Sequence, residues 1–139
     1  MALAIISMGL YDCVRFRKIT ALLEEIVDFT KLLRNEISYR KASYPDLIAM
    51  GKKREYRYIL FENKLPSICV ADSDLSREFN DFTKQIGTTD SEGQIALCIE
   101  YGEKFSQMLK FHRDKERSKI QVNLSLSLLG AFSVIIIFI

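Results

Sequence analysis

One histidine, three cysteines and one short polar turn are the residues of this sequence whose types and spacing bear on chemistry. General acid–base or nucleophilic catalysis needs a base held beside a nucleophile or an orienting carboxylate. His112 instead lies between Phe111 and Arg113 in a basic run, which reads as an interface-facing residue. Cys13, Cys69 and Cys98 are far apart and form no CxxC pair, so neither a disulfide framework nor a zinc site is indicated. No serine stands in a G-x-S-x-G context and no glycine-rich phosphate loop is present. The chain therefore reads as a non-enzyme with no cofactor and no metal. The turn GTTDSEGQ at 87–94 carries a different chemistry, that of starting a helix. Thr89 and Glu92 stand in the T-x-x-E relation of a capping box, and Asp90 places a negative charge at the positive end of the helix dipole. Gln94 lies a turn further in, where its amide is free either to hold the preceding loop or to face a partner.

The element that this turn starts is the longest in the chain. From Ile95 through Phe105, Met108 and Leu109 the pattern stays helical without proline, passes a basic stretch, and ends in VNLSLSLLGAFSVIIIFI at 122–139. That last run has no charged side chain and, as a helix, is roughly 27 Å long, close to the hydrocarbon thickness of a bilayer. Twelve of its residues are Leu, Ile, Val or Phe. On a biological insertion scale they favour a transmembrane position by roughly 4 to 7 kcal/mol before polar costs. Lys110, Arg113, Lys115, Arg117 and Lys119 outnumber Asp114 and Glu116 just upstream, which predicts that this flank is cytoplasmic. Within the run, Asn123, Ser127 and Ala131 recur every four residues with Gly130 beside them, a small polar stripe suited to close approach of another helix.

At the other end, MALAIISMGL is apolar but too short to cross a bilayer, and it lacks the pattern of a secretory signal. Arg15, Arg17 and Lys18 follow it, mirroring the basic flank of the C-terminal run. Either a first span is truncated here, or 1–14 dips into the interface. A long amphipathic helix follows, with Ile19, Leu22, Leu23, Ile26, Val27, Phe29, Leu33 and Ile37 on its core face and Glu24, Glu25, Asp28, Arg34 and Arg40 on its other sides. Ser43 and Pro45 stop it and start a short helix with Leu47, Ile48 and Met50, which Gly51 is expected to break. The stretch 51–64 interleaves Lys52, Lys53, Arg54 and Arg57 with Tyr56, Tyr58 and Phe61. It reads as a short packed helix with solvated basic residues, or, as the alternative, as a binder of RNA or anionic lipid. A turn around Pro66 leads to a further helix through Leu75, Phe79, Phe82 and Ile86, with Gly87 in the position of a C′ glycine.

Altogether the sequence predicts an all-α protein: an apolar N-terminal membrane segment at 1–14, a small cytoplasmic helical bundle at 15–119, and a long last helix that continues into a C-terminal transmembrane helix at 120–139. The charge of 20 Lys+Arg against 18 Asp+Glu, a net +2, gives no reason to expect a nucleic-acid partner.

Nearly the whole chain resembles stage III sporulation protein AB of endospore-forming bacteria. The resemblance rests on the apolar start followed by Arg15 and Arg17, on LLRNEISY with a proline shortly after, and on Gly87, Asp90, Glu92 and Gln94, which fall on that family's G-x-[ST]-D-x-E-x-Q pattern. Leu129, Gly130 and the terminal isoleucine run complete it. The chain departs from the pattern in its short N-terminal span, its abbreviated middle at 51–72, and Gln121 and Val122 where Lys-Met is usual. Such proteins are similar to the F-protein platform of type II secretion and type IV pilus machines. The resemblance implies a mother-cell membrane component of the channel-like complex joining mother cell and forespore. Its partners would be a secretion-type ATPase, sister membrane subunits, membrane lipid and, through the small stripe, another copy of itself. Gly87, Asp90, Gln94, Ser127, Gly130 and Ala131 are the candidate interaction residues. A membrane-tethered adaptor of another envelope machine is the alternative reading.

Overall fold

The structure, a computed structural model, describes residues 2–61, 65–69 and 72–139, leaving aside the side chains of 2–9, 127, 131 and 138. Two long helices form its frame. α1 (Ala2–Arg40) and α4 (Ser91–Phe138) run antiparallel, joined near one end by α2 (Tyr44–Lys53), a two-residue strand β1 (Ile59–Leu60), a second strand β2 (Ser67–Ile68) and α3 (Ser73–Gln85). α1 crosses residue 15 without a break, so the apolar start and the amphipathic stretch are one helix, a continuity that two different periodic patterns had hidden.

The apolar face expected of α1 is the heart of the core: Leu22, Leu23, Ile26, Phe29, Leu33 and Ile37 are buried, together with Leu75, Phe79, Phe82 and Ile86 of the α3 region. α4 contributes Cys98, Tyr101, Phe105 and Leu109 at helical spacing. Ile99 and Phe111 of the same helix are exposed. α4 passes α1 at Gly102, where a Cβ would stand 3.4 Å from Thr30 Oγ1, an ordinary contact distance.

α1 ends at Arg40 with Lys41 in the left-handed region at φ 49°, and Ser43 is the N-cap residue of α2. The Ser43 hydroxyl and backbone N–H both donate to Asp46 Oδ2, at 2.6 and 3.3 Å. Gly51, however, does not break this helix. It is buried two residues inside the end of α2, and a Cβ there would sit 2.6 Å from the Phe61 ring and 3.3 Å from that of Phe29. The glycine is a contact point for two aromatic rings. Gly51→Ala is therefore expected to cost about 1 to 3 kcal/mol through overpacking, against the small gain in helix propensity that alanine usually brings. Denaturant titration of the wild type and variant checks this.

Residues 58–61, expected to be a short helix, form none. Ile59 pairs with Ile68 and Leu60 with Ser67 in an antiparallel ladder, and Cys69 N–H extends it to Tyr58 O at 3.1 Å. The bundle is thus helical with one small hairpin.

Candidate functional site

The corner between α3 and α4 brings Gly87, Asp90 and Gln94 together, and each has a structural task there. α3 ends in an ordinary right-handed C-cap at Ile86, and Gly87 has no positive φ, so the left-handed C′ role is not the one it plays. It faces the Tyr44 ring instead, 3.6 Å from where a Cβ would be. Thr88 returns to Gln85 O through its N–H at 3.1 Å and its hydroxyl at 2.8 Å.

The N-cap of α4 is Asp90, not Thr89. Its carboxylate accepts from Gly93 N–H at 3.0 Å, and Gln94 Nε2 donates to Thr89 O at 2.9 Å. The T-x-x-E box is thus one residue out of register with the true cap. At Gly93, which sequence reasoning passed over, a Cβ would lie 2.8 Å from Asp90 Oδ1, so a larger residue there would require the carboxylate to turn. Asp90→Ala is expected to cost about 0.5 to 2 kcal/mol as a lost N-cap. Gln94→Ala should cost about 0.5 to 1.5 kcal/mol through the lost tie to the loop. Thr89→Ala should stay within about 0.5 kcal/mol, the reverse of what a Thr89 cap demands. Melting curves of the three variants distinguish the two registers.

At the opposite end of the bundle α1 and α4 leave it side by side as a stem. Arg17 Nε is 3.8 Å from Glu116 Oε1, and Arg113 Nη2 donates to Glu24 Oε1 at 2.6 Å. The Phe16 and His112 rings pack 5.5 Å apart. His112 is half-buried, and burial pushes its pKa below the usual value, so this joint favours the neutral imidazole. Beyond it every described side chain of α4 from Ile120 onward is exposed, and the most apolar 18-residue window has mean hydropathy 2.0 with none of it buried. By length and composition α4 is able to cross a membrane. Ser125 and Ser133 hydroxyls donate to the carbonyls of Gln121 and Leu129, at 3.0 and 2.9 Å, which lowers the cost of placing them in hydrocarbon. A Cβ on Gly130 would meet nothing within 4 Å, whereas the side chains of Ser127 and Ala131 lie outside the described residues.

No protein-family model, curated protein or solved structure matches this chain.

Two further sites belong to the bundle. Glu25 and Asp28, read as solvent residues of α1, hold the basic stretch. Glu25 accepts from the backbone N–H groups of Arg57 and Tyr58 at 2.9 and 2.8 Å, while Asp28 Oδ2 accepts from Tyr56 Oη at 2.6 Å and from Arg54 Nη1 at 3.4 Å. Arg54 is thereby paired rather than simply solvated, and the segment is docked on α1. Secondly, an open groove of about 370 Å³ runs between α1 and α4, with Lys31, Arg34, Glu103 and Gln107 among its lining residues and Cys98 at its floor. Burial pushes the Cys98 thiol up to about 12, so it is not a nucleophile at neutral pH.

Proposed function

We propose that this chain is a membrane-anchored helical platform protein of the stage III sporulation AB type, a mother-cell membrane component of the complex that joins mother cell and forespore. The observation that carries the reading is the stem. A bundle with one exposed apolar extension, bordered by basic residues, is what a membrane-tethered scaffold requires. The sequence pattern at 87–94 and in the terminal run supports the narrower assignment. In this reading the bundle faces the cytoplasm, and the exposed corner at Thr88, Thr89, Asp90 and Ser91 points away from the stem, toward a secretion-type ATPase or sister subunits. The docking of 54–58 by Glu25 and Asp28 favours a packing role for that segment over RNA binding.

Affinity capture from sporulating cells, with membranes solubilised in mild detergent, tests the assignment: it is expected to recover the ATPase and sister membrane subunits. Recovery of neither, from a preparation in which the protein itself is intact, rejects it. Topology has its own check in thiol chemistry. Cys69 is exposed in the bundle and should react with an impermeant maleimide only once the cytoplasmic side is opened. Cys98 is buried and should stay silent until denaturant is added. Labelling of Cys69 in sealed cells places the bundle outside.

A further inference from the structure

We infer that the neck of the stem, where α1 and α4 leave the bundle, is a binding collar for anionic phospholipid headgroups. This rests on the reading of 122–139 as a span, and it adds which lipids the cytoplasmic border of that span selects.

The antiparallel register places two basic runs at one level. The contacts of Arg17 with Glu116 and of Phe16 with His112 bring Arg15, Arg17 and Lys18 beside Arg113, Lys115, Arg117 and Lys119. These seven cations face five carboxylates, Asp12, Glu24, Asp114 and Glu116 with Asp72 at the α3 N-cap, which lies close enough to act on His112. The chain as a whole carries only +2, so its positive excess is concentrated at this neck. Arg17 and Arg113 are committed to ion pairs with Glu116 and Glu24. Lys18, Lys115, Arg117 and Lys119 are exposed and have no ion-pair partner among the described residues.

Two of these cations are held in place. Lys119 Nζ stands 4.1 Å from the Phe16 ring centroid and Lys115 Nζ 4.5 Å from that of Phe111. Cation–π contact leaves the ammonium donors free for phosphate oxygens. Immediately on the apolar side come exposed Leu10, Tyr11 and Val14 of α1 and Ile120, Val122 and Leu124 of α4. Cations bordered by exposed aromatic and aliphatic side chains match a headgroup layer above acyl chains, and juxtamembrane cations draw anionic lipid into their vicinity.

The test uses the full chain in nanodiscs, with spin-labelled phosphatidylglycerol and phosphatidylcholine as probes of the lipid held at the protein surface. Phosphatidylglycerol is expected to associate roughly five-fold or more in preference, on the scale of a single juxtamembrane cation. That preference should collapse at about 1 M salt, where the Debye length is about 3 Å. It should also be lost in the triple variant Lys18→Gln, Lys115→Gln, Lys119→Gln and survive in Lys52→Gln with Lys53→Gln, whose lysines lie in the bundle. Equal association of the two lipids, or a preference that the triple variant retains, overturns the collar. Carbonate extraction of the same protein from vesicles separates the two readings. Resistance to carbonate without lipid preference rejects the collar alone, whereas release by carbonate rejects the anchor itself.

Discussion

Leu129→Arg combined with Phe132→Arg is expected to release the protein from carbonate-washed membranes while leaving the bundle folded. The twelve large apolar residues of 122–139 favour insertion by roughly 4 to 7 kcal/mol. Each arginine near the middle of the span costs about 2.5 to 3.5 kcal/mol and also forfeits the contribution of the residue it replaces, so two together remove about 6 to 8 kcal/mol. The pair matches or exceeds the whole driving force; Leu129→Arg alone leaves a weakened anchor and a mixed distribution. Both positions are exposed, 64% and 57%, and belong to a part of α4 beyond the packed core. The melting curve of the bundle should therefore be unchanged, which separates lost insertion from lost folding. A double variant that stays in the carbonate-resistant pellet shows that the anchor lies elsewhere, with α1 the first place to look.

A C-terminal helix long and apolar enough to cross a membrane was legible in the sequence because its signal is compositional and needs no partner. α3 was legible too, since Leu75, Phe79, Phe82 and Ile86 fix one helical face and all four are buried. The start of α4 was legible to within one residue. Thr89 and Asp90 are both good N-caps, and it is the Asp90 carboxylate that takes the Gly93 N–H. The facing of α4 was harder, because Ile95, Leu97 and Ile99 surround the helix with apolar residues and leave its phase open. Packing against α1 and α3 settles it by burying Cys98, Tyr101, Phe105 and Leu109.

The hairpin could not be read from local pattern at all. A four-residue apolar run such as YILF at 58–61 is too short for periodicity to separate strand from helix. What decides it is long-range: β2 across the turn, and the Glu25 carboxylate taking two successive N–H groups that a helix would otherwise have left to carbonyls or solvent. A side chain whose partner is backbone carries no signature of it in sequence, which is why Glu25 looked like a surface residue, while the Tyr56 and Arg54 partners of Asp28 lie 26 to 28 residues away in the chain. The candidate docking role of Gln94 weakened for a related reason, since its amide has a loop carbonyl to satisfy.

Phe29→Ala is expected to be the most damaging single change in the bundle. Phe29 is 1% exposed, and its ring lies 5.5 Å from Phe61, 6.0 Å from Tyr56 and 6.4 Å from Phe79, with Gly51 making room for it on α2. One side chain of α1 thus ties together α2, the segment leading into and out of β1, and α3. Truncation to alanine in such a site costs about 3 to 5 kcal/mol, a large share of the roughly 5 to 15 kcal/mol that holds a domain of this size together. At about 4 to 8 °C per kcal/mol the melting temperature should fall by about 12 to 40 °C. Tyr39→Ala, at an 86% exposed position of the same helix, should move it by less than about 4 °C. Phe29→Ala should still partition into the carbonate-resistant fraction, because the apolar run of α4 takes nothing from the Phe29 cluster. If Phe29→Ala melts alongside Tyr39→Ala, the aromatic cluster is not what joins the hairpin and α3 to the frame. If it instead loses both its fold and its membrane retention, the stem depends on the bundle, and the two ends of α4 are one cooperative unit rather than an anchor and a scaffold joined by a continuous helix.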